Sequence, residues 1–399
     1  MRIAHIVRRY SRTEWGGTET VVAHTVEEQL TRGHVPRVFA TNALQAADPS
    51  VSLPPNAEVF DYAYPYWPMP AKDRLALDKK GGSPYAPRLF RAVRAFKPDL
   101  VHIHAGGRLA VAAVKLAEEL GVPSVMSLHG GAAVVPQSEI DEMLRPLKRK
   151  FPYGGLFDRL LGWRFDPLAR VGAIVCISRA EEARLQALYP ARRVHYVPNG
   201  VAAAPRVTRR DDPSTRRLLC VSRIDYQKNQ VALVEALAKL PATFRLTLVG
   251  PITAAWYAEK IRTRARELGV AERVTLIPGL PPGSVELEAA FSDADVFVLP
   301  SVHEPFGIVA LEAMQRGLPL VSSNVGGLPD FVTDGRNGLL FDPSDVAALA
   351  SAIGRVFDEP GLAGRLIDGG FATSARFAWS HVIDDLDRVY AEVRNEVLK

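Results

Sequence analysis

Cysteine is nearly absent from this chain: 2 in 399 residues. Cys176 and Cys220 sit in apolar, strand-like runs far apart in sequence, so they read as reduced core thiols, not as a disulfide or a metal site. No Cys/His cluster has metal-ligand spacing. No apolar run reaches the ~18 residues that a membrane-spanning helix needs. Met1-Arg2-Ile3-Ala4-His5-Ile6-Val7 enters a strand directly, without a hydrophobic signal segment, so the expected location is the cytoplasm. No internal tandem repeat is evident.

What is present is ordinary for a soluble globular protein: 47% hydrophobic and 23% charged residues. The length favours two domains over one. Net charge is +5. Residues 145–170 alone carry that excess, through Arg145, Lys148, Arg149, Lys150, Arg159, Arg164 and Arg170 against Asp158 and Asp166. Phe151, Tyr153, Phe157, Trp163 and Phe165 are interleaved. Such a face can rest peripherally on an anionic membrane, here the inner membrane face. The preferred reading is a solvated surface helix that buries its aromatic side. No nucleic-acid-binding motif accompanies the charge, so a nucleic-acid partner is not expected.

Short β-branched runs alternate with helical periodicity, the signature of α/β units on a parallel sheet. Strands are expected at residues 3–7, 37–41, 100–104, 124–128, 173–177 and 195–197, and again at 217–221, 245–249, 274–277, 296–299, 320–322 and 338–341. The expected domains are residues 1–197 and 217–377. A Pro/Gly and mixed-charge linker over 198–216 joins them. A long amphipathic helix runs through 379–397. Two similar halves of this kind suggest facing Rossmann-like domains, with ligands bound at strand carboxyl ends. The aromatic, Pro-rich segments Val59–Pro70 and Lys79–Pro87 read as irregular connections or an acceptor pocket.

The most informative stretch is residues 299–314, LPSVHEPFGIVALEAM. A buried strand ends, Glu304 follows on the loop, Phe306, Gly307 and Ile308 open a helix, and Glu312 lies on its second turn. Helix N-termini favour phosphate, and a carboxylate accepts from neighbouring hydroxyls. A phosphate flanked by polyols describes a nucleotide sugar. Arg223 and Lys228 lie on the loop after the first strand of the second half, where both can reach one anion. Lys228, as a loop residue, is expected to contribute little to the core. Gly250 ends the adjacent strand. Gly16 and Gly17 open the first helix with room for a phosphate, but without the G-x-G-x-x-G spacing of a dinucleotide site, which argues against a dehydrogenase. His129 follows a strand end in Ser-Leu-His-Gly-Gly. His102 and His104 alternate with apolar residues and read as structural. Asp293-Ala294-Asp295 has the spacing of a metal motif but leads into a buried strand, and is read as structural too.

These motifs together, from about residue 1 to 395, resemble the retaining glycosyltransferases of family 4, whose fold is GT-B. The segment Glu304 to Glu312 is similar to the family's glutamate–seven residues–glutamate motif. The resemblance implies a central interdomain cleft and a C-terminal helix, residues 378–399, that packs back on the N-terminal domain. It implies that Gly16 and Gly17 face the donor diphosphate and that Arg223 and Lys228 hold it. Glu304 would orient the donor sugar, Glu312 the ribose, and His129 would lie beside the transferring sugar. Ile277 and Leu280 would read the base through backbone groups, with Gly250 near the phosphates. Where the family often has Asp after the histidine, this chain has Gly130-Gly131. Ser222 and Asn229 replace family glycines, and Asp330 a family glutamate.

The implied reaction moves a hexose or N-acetylhexosamine from a nucleotide diphosphate sugar to a sugar, lipid-linked or small-molecule acceptor, in envelope polysaccharide, lipopolysaccharide or glycolipid synthesis. UDP-sugars come first and GDP-mannose second, and no metal or other cofactor is expected. A sugar-nucleotide epimerase of the same fold and a catalytically silent nucleotide-sugar-binding protein are the alternatives.

Overall fold

The computed structural model describes residues 1–10, 16–41, 56–61, 86–130, 159, 162, 164–207, 214–281 and 283–397. Most of the basic stretch 145–170, Trp15, Gly131, and the greater part of Val59–Pro70 and Lys79–Pro87 lie outside the described residues. The chain divides into two units. Unit 1 is Met1–Pro198 with Val382–Lys399, and unit 2 is Asn199–His381.

Unit 1 contains β1 (Arg2–Arg9), α1 (Gly17–Thr31), β2 (Val35–Thr41), β3 (Ala57–Phe60), α2 (Pro87–Phe96), β4 (Leu100–Ile103), α3 (Gly107–Leu120), β5 (Ser124–Ser127), β6 (Ala173–Cys176), α4 (Arg179–Leu188) and β7 (Arg193–Tyr196). Its parallel sheet runs β3-β2-β1-β4-β5-β6-β7. Every residue of β4, β5 and β6 is buried, as a sheet covered on both faces requires. The short edge strand β3 pairs with β2, Ala57 opposite Val38. Its second half falls in the segment 59–70 expected as an irregular connection, because four residues give too little alternation to read.

Unit 2 contains β8 (Arg216–Val221), α5 (Gln230–Lys239), β9 (Phe244–Val249), α6 (Ala255–Glu267), β10 (Val274–Ile277), α7 (Val285–Asp293), β11 (Val296–Leu299), α8 (Ile308–Arg316), β12 (Leu320–Ser323), β13 (Leu339–Phe341), α9 (Val346–Asp358) and α10 (Leu362–Arg376). Its parallel sheet runs β10-β9-β8-β11-β12-β13. Side-chain caps mark where helices start. Ser284 accepts from the Leu287 N–H and Asp345 from the Ala348 N–H. The beginning of the expected linker belongs to this unit: the Val201 N–H donates to the Phe377 carbonyl at 2.8 Å. A Cβ on Gly200 would lie 2.4 Å from the Trp379 ring.

In each unit the order reverses after the first strand, between β1 and β4 and between β8 and β11. In sheets of this type ligands bind at the carboxyl ends of such switch-point strands.

The last helix, α11 (Trp379–Val397), starts in unit 2 and continues in unit 1. Val382, Ile383, Leu386, Val389, Tyr390 and Val393 form its buried stripe, at the spacing of one helix face. Arg32 pairs with Asp384 and Asp387, and Arg193 with Glu396. Burying one such apolar side chain contributes roughly 1.5–3 kcal/mol, so the stripe rivals a domain's net stability of ~5–15 kcal/mol. A chain ending at His381 is therefore expected to lose the unit 1 unfolding transition in calorimetry and to keep that of unit 2.

Candidate functional site

In unit 2 the two loops that leave the switch-point strands are tied together. After β8 the chain runs through Ser222 to Asn229. After β11 it runs through Ser301 to Gly307. The Gln227 carbonyl accepts from the Val302 N–H at 2.8 Å, and the Lys228 Nζ donates to Glu304 Oε2 at 2.8 Å. Both side chains of this ion pair are buried. Ser301 Oγ donates to the same oxygen at 3.1 Å, and Ser301's own carbonyl accepts from Ser323 Oγ at 2.6 Å. Among the described residues, Glu304 Oε1 makes no hydrogen bond.

The Glu304 loop is pinned from outside by glycines that nothing else could replace. A Cβ on Gly326, whose φ is +58°, would lie 1.8 Å from the Glu304 carbonyl oxygen. The Gly327 N–H donates to that same oxygen at 3.1 Å. Asn324 to Asp330 therefore supports this loop. Gly307 caps α8 at φ +97°, and its Cα faces the Glu304 side chain closely enough that a Cβ would lie 3.4 Å from Glu304 Cγ. Glu304 thus lies beside the N-terminus of a helix whose first N–H groups have no partner within the helix. Phe306 is buried against Phe331 and Phe377.

Arg223 is half-exposed on the rim of this arrangement. It meets Asp225 Oδ2 at 3.0 Å and Gln227 Oε1 at 3.3 Å. Asp225, buried, also accepts from the Gln227 N–H and from Thr253 Oγ1. Gln230 braces the loop by donating to Ser222 Oγ at 2.9 Å and to the Arg223 carbonyl at 2.7 Å. Gly250 has φ +155°, and a Cβ there would lie 1.8 Å from the Ser222 carbonyl oxygen. In this arrangement Arg223 pairs with Asp225 and Lys228 with Glu304. Lys228 is expected, as a loop residue, to contribute little to the core, but it is buried. The partner that buries it is distant in sequence.

Glu312 is half-buried on α8, and burial raises its pKa against the lowering effect of Arg316. Arg316 is clamped by both oxygens of Glu288, at 3.0 and 2.5 Å, and donates to the Glu312 carbonyl. The Ile277 carbonyl accepts from Gly250 and Gly279 N–H groups at 3.1 and 2.9 Å, which fills its two lone pairs. Leu280 is half-buried beyond it. Asp295 accepts from the Arg217 N–H and Asp293 pairs with the Arg217 side chain, which accounts for both as structural residues. Arg170 pairs with Glu118 and lies over Phe165, the described end of the basic stretch.

In unit 1, Gly16 caps α1 and Gly17 opens it. The Gly16 N–H is occupied: it donates to Glu19 Oε2 at 3.1 Å. Glu19 is buried, and burial raises its pKa against the pull of Arg9. A carboxylate three residues into the helix was the missed signal, a common partner for a cap.

Period-2 alternation puts His5 on β1 and His102 on β4 side by side, register partners on the same sheet face. His104, Ser127 and His129 continue that face, towards α1 and α11. The side chains form one connected chain. Gln29 Oε1 lies 2.8 Å from His5 Nε2, His5 Nδ1 lies 3.0 Å from His104 Nε2, and His104 Nδ1 lies 2.9 Å from His129 Nε2. A second arm runs from Gln29 Nε2 through Tyr390 Oη to His102 and Ser127 Oγ. His129 Nδ1 is buried and has no hydrogen-bond partner among the described residues. Burial pushes His5 and His129 down to about 4, and His102 and His104 well below their ordinary value. All four rings are neutral at neutral pH.

Residues 207–372 match the family described as Glycosyl transferases group 1, and residues 15–204 match Glycosyltransferase Family 4. The chain is 30% identical to a D-inositol 3-phosphate glycosyltransferase of Acidothermus cellulolyticus, over 96% of this chain and 86% of that protein. Among solved structures it superposes on a sucrose-phosphate synthase from Thermosynechococcus elongatus with TM-score 0.73, at 23% identity and over 99% of both chains. It also superposes on Anabaena HepE in complex with UDP and glucose, with TM-score 0.71 at 19% identity, over 98% of this chain and 100% of that one. Those two likenesses establish the fold.

Two outcomes follow from the buried groups. Lys228→Ala leaves the Glu304 carboxylate buried and unpaired, so unfolding of unit 2 in denaturant should become easier by roughly 3 kcal/mol. The Lys228→Met, Glu304→Gln double variant should regain most of that loss. The histidines set a pH window. Between about 4 and 6.5 the unfolded chain binds protons that folded His5 and His129 refuse. Stability is full above 6.5 and should fall as the pH drops towards 4. A melting temperature flat across that range would contradict the burial of these rings.

Proposed function

The chain belongs to the family 4 glycosyltransferases with the GT-B fold, and on that premise we propose that it moves a hexose or N-acetylhexosamine from a nucleotide diphosphate sugar to an acceptor hydroxyl with retention of configuration. The supporting observation is Glu304. Lys228 and Ser301 hold it through Oε2, and Oε1 is left uncommitted among the described residues, beside the N-terminus of α8. A fixed carboxylate suits sugar hydroxyls, and a helix N-terminus suits a phosphate.

In this reading the bond from the anomeric carbon to the diphosphate oxygen breaks as the acceptor oxygen attacks from the same face. The departing diphosphate takes the acceptor's proton, and no covalent nucleophile is needed. Arg223, Lys228 and the Phe306–Ile308 helix start meet the growing negative charge. Electrostatic preorganisation of this kind is usually the largest catalytic term. Glu304 orients the sugar, Glu312 the ribose, and His129 a sugar hydroxyl. By resemblance the turn at Gly16 and Gly17 and the turn at Gly250 would approach the diphosphate, the Gly16 N–H being already used by Glu19, and Leu280 would lie where a base is read. No metal is proposed, because these cationic groups already answer the diphosphate.

UDP-sugars are placed first and GDP-mannose second. The acceptor is placed in envelope polysaccharide, lipopolysaccharide or glycolipid synthesis. The name of the inositol phosphate relative adds cyclitol and sugar phosphates to the candidates. A peripheral membrane contact through 145–170 accompanies the lipid-linked case.

The test is release of nucleoside diphosphate from a panel of nucleotide sugars, with EDTA present, and with and without acceptors. We expect steady release that an acceptor accelerates and EDTA leaves unchanged, and a product of the donor's anomeric configuration by NMR. Arg223→Ala, at a half-exposed position, should keep the fold and lower turnover by ~10²-fold, as removing one charge-stabilising donor commonly does. Conversion of the donor without an acceptor would indicate an epimerase. Tight binding without turnover would indicate a binding protein.

A further inference from the structure

The histidine chain in unit 1 carries more than burial. Its polarity is fixed by one group, the Gln29 amide. Gln29 Nε2 donates to Tyr390 Oη at 3.2 Å, so Oε1 is the atom that faces His5 Nε2 at 2.8 Å. A carbonyl oxygen only accepts, so His5 carries its proton on Nε2. A neutral ring has one N–H, which makes His5 Nδ1 an acceptor. His104 Nε2–H must then donate across the 3.0 Å gap, and His104 Nδ1 is an acceptor in turn. His129 Nε2–H donates to it across 2.9 Å. That leaves His129 Nδ1 as a bare lone pair, buried and without a partner among the described residues.

The second arm has a compatible sense. Tyr390 Oη, having accepted from Gln29, donates to His102 Nδ1 at 2.6 Å, and His102 Nε2–H donates to Ser127 Oγ at 2.7 Å. Turning the Gln29 amide over would reverse every bond and end the chain on a buried N–H at His129 Nδ1. Among buried backbone groups an orphaned N–H is rarer than an unfilled acceptor, and the same order favours the orientation in which His129 Nδ1 is the acceptor.

We infer that Gln29, His5 and His104 are positioning residues: they hold His129 in the tautomer whose Nδ1 accepts, so that this position takes a ligand hydroxyl or amide N–H and rejects an oxyanion. The inference rests on the transferase reading only for the identity of that ligand, a hydroxyl of the donor sugar. The tautomer itself follows from the unliganded chain. A phosphate or carboxylate oxygen, which only accepts, would meet the Nδ1 lone pair with nothing to share. The polar chain thereby makes His129 selective for a neutral donor group. Neutrality is part of the device, and burial of all four rings maintains it.

The test is long-range proton–nitrogen correlation on the full chain labelled with ¹⁵N-histidine, at pH 7.5. His129 is assigned from its missing signals in His129→Gln. We expect His129 as the neutral Nε2–H form. Finding Nδ1–H there, or a charged ring, overturns the inference on the wild-type protein alone. In Gln29→Leu the chain loses its reference group, and the His129 nitrogens should shift towards a mixture of both tautomers. An unchanged, pure Nε2–H spectrum in that variant would show that Gln29 does not set the polarity. The KM for the nucleotide sugar should rise by the reciprocal of the fraction that stays Nε2–H, about twofold for an even mixture, while kcat moves little. An Nε2–H His129 in a protein that turns over no nucleotide sugar would keep the tautomer assignment and sink the transferase reading. Turnover by a protein whose His129 is Nδ1–H would do the reverse.

Discussion

Unit 2 is organised around a buried ion pair. Lys228 and Glu304 are 76 positions apart in sequence and 2.8 Å apart in space. Removing two charges from water costs several kcal/mol per ion, and their mutual attraction repays that only with good geometry and further hydrogen bonds. Ser301 and the glycine-pinned loop supply those. A pair of well-packed apolar residues would often stabilise as much or more, so stability alone does not explain charges here. The proposed ligand, which carries both phosphate and hydroxyls, would account for charges held at a switch point beside a helix N-terminus. The topology makes the pair possible: β8 and β11 are sheet neighbours, so the loops that leave them come together although α5, β9, α6, β10 and α7 intervene in the chain.

Unit 1 solves a comparable problem with neutral groups. Its switch-point face carries His5, His102, His104, Ser127 and His129, and burial keeps the rings uncharged. The bonds among them satisfy every ring nitrogen but one. Neutral groups avoid the desolvation cost of ions, and they transmit direction instead of charge: each N–H fixes which nitrogen of the next ring accepts. Tyr390 joins this face from the last helix, so the packing of α11 and the polarity of the histidine chain depend on each other. The two units thus offer different chemistry, a cationic and anionic set in one and a neutral acceptor in the other.

Much of this was legible in sequence, and the reasons are specific. Both sheets announced themselves through short apolar runs, since strands buried on two faces need continuous hydrophobicity. Glu304, Gly307 and Glu312 stood out because strand end, loop carboxylate and helix start follow one another within a few residues. What escaped depended on pairing across distance. Nothing local marks Lys228 as buried, because its partner lies on another loop. Ser301, Asp225 and Gln230 act only through neighbours brought in by the fold. His102 and His104 were read as structural, and the alternation that put them on one face was visible. Their connection to His5, Gln29 and Tyr390 was not, since it needs two strands and two helices in register. The edge strand β3 was too short to show a period.

In the proposed function, unit 2 holds a nucleotide diphosphate sugar beside the Lys228–Glu304 pair. The most direct measurement is thermal stabilisation of the full chain by UDP, GDP and their sugars, in the absence of added metal. A ligand that binds only the folded form raises stability by RT ln(1 + [L]/Kd). A shift is expected with one nucleoside diphosphate, larger with one particular sugar attached, and a much smaller shift in the Lys228→Met, Glu304→Gln variant. No shift with any member of the panel, or an equal shift in that variant, would contradict it.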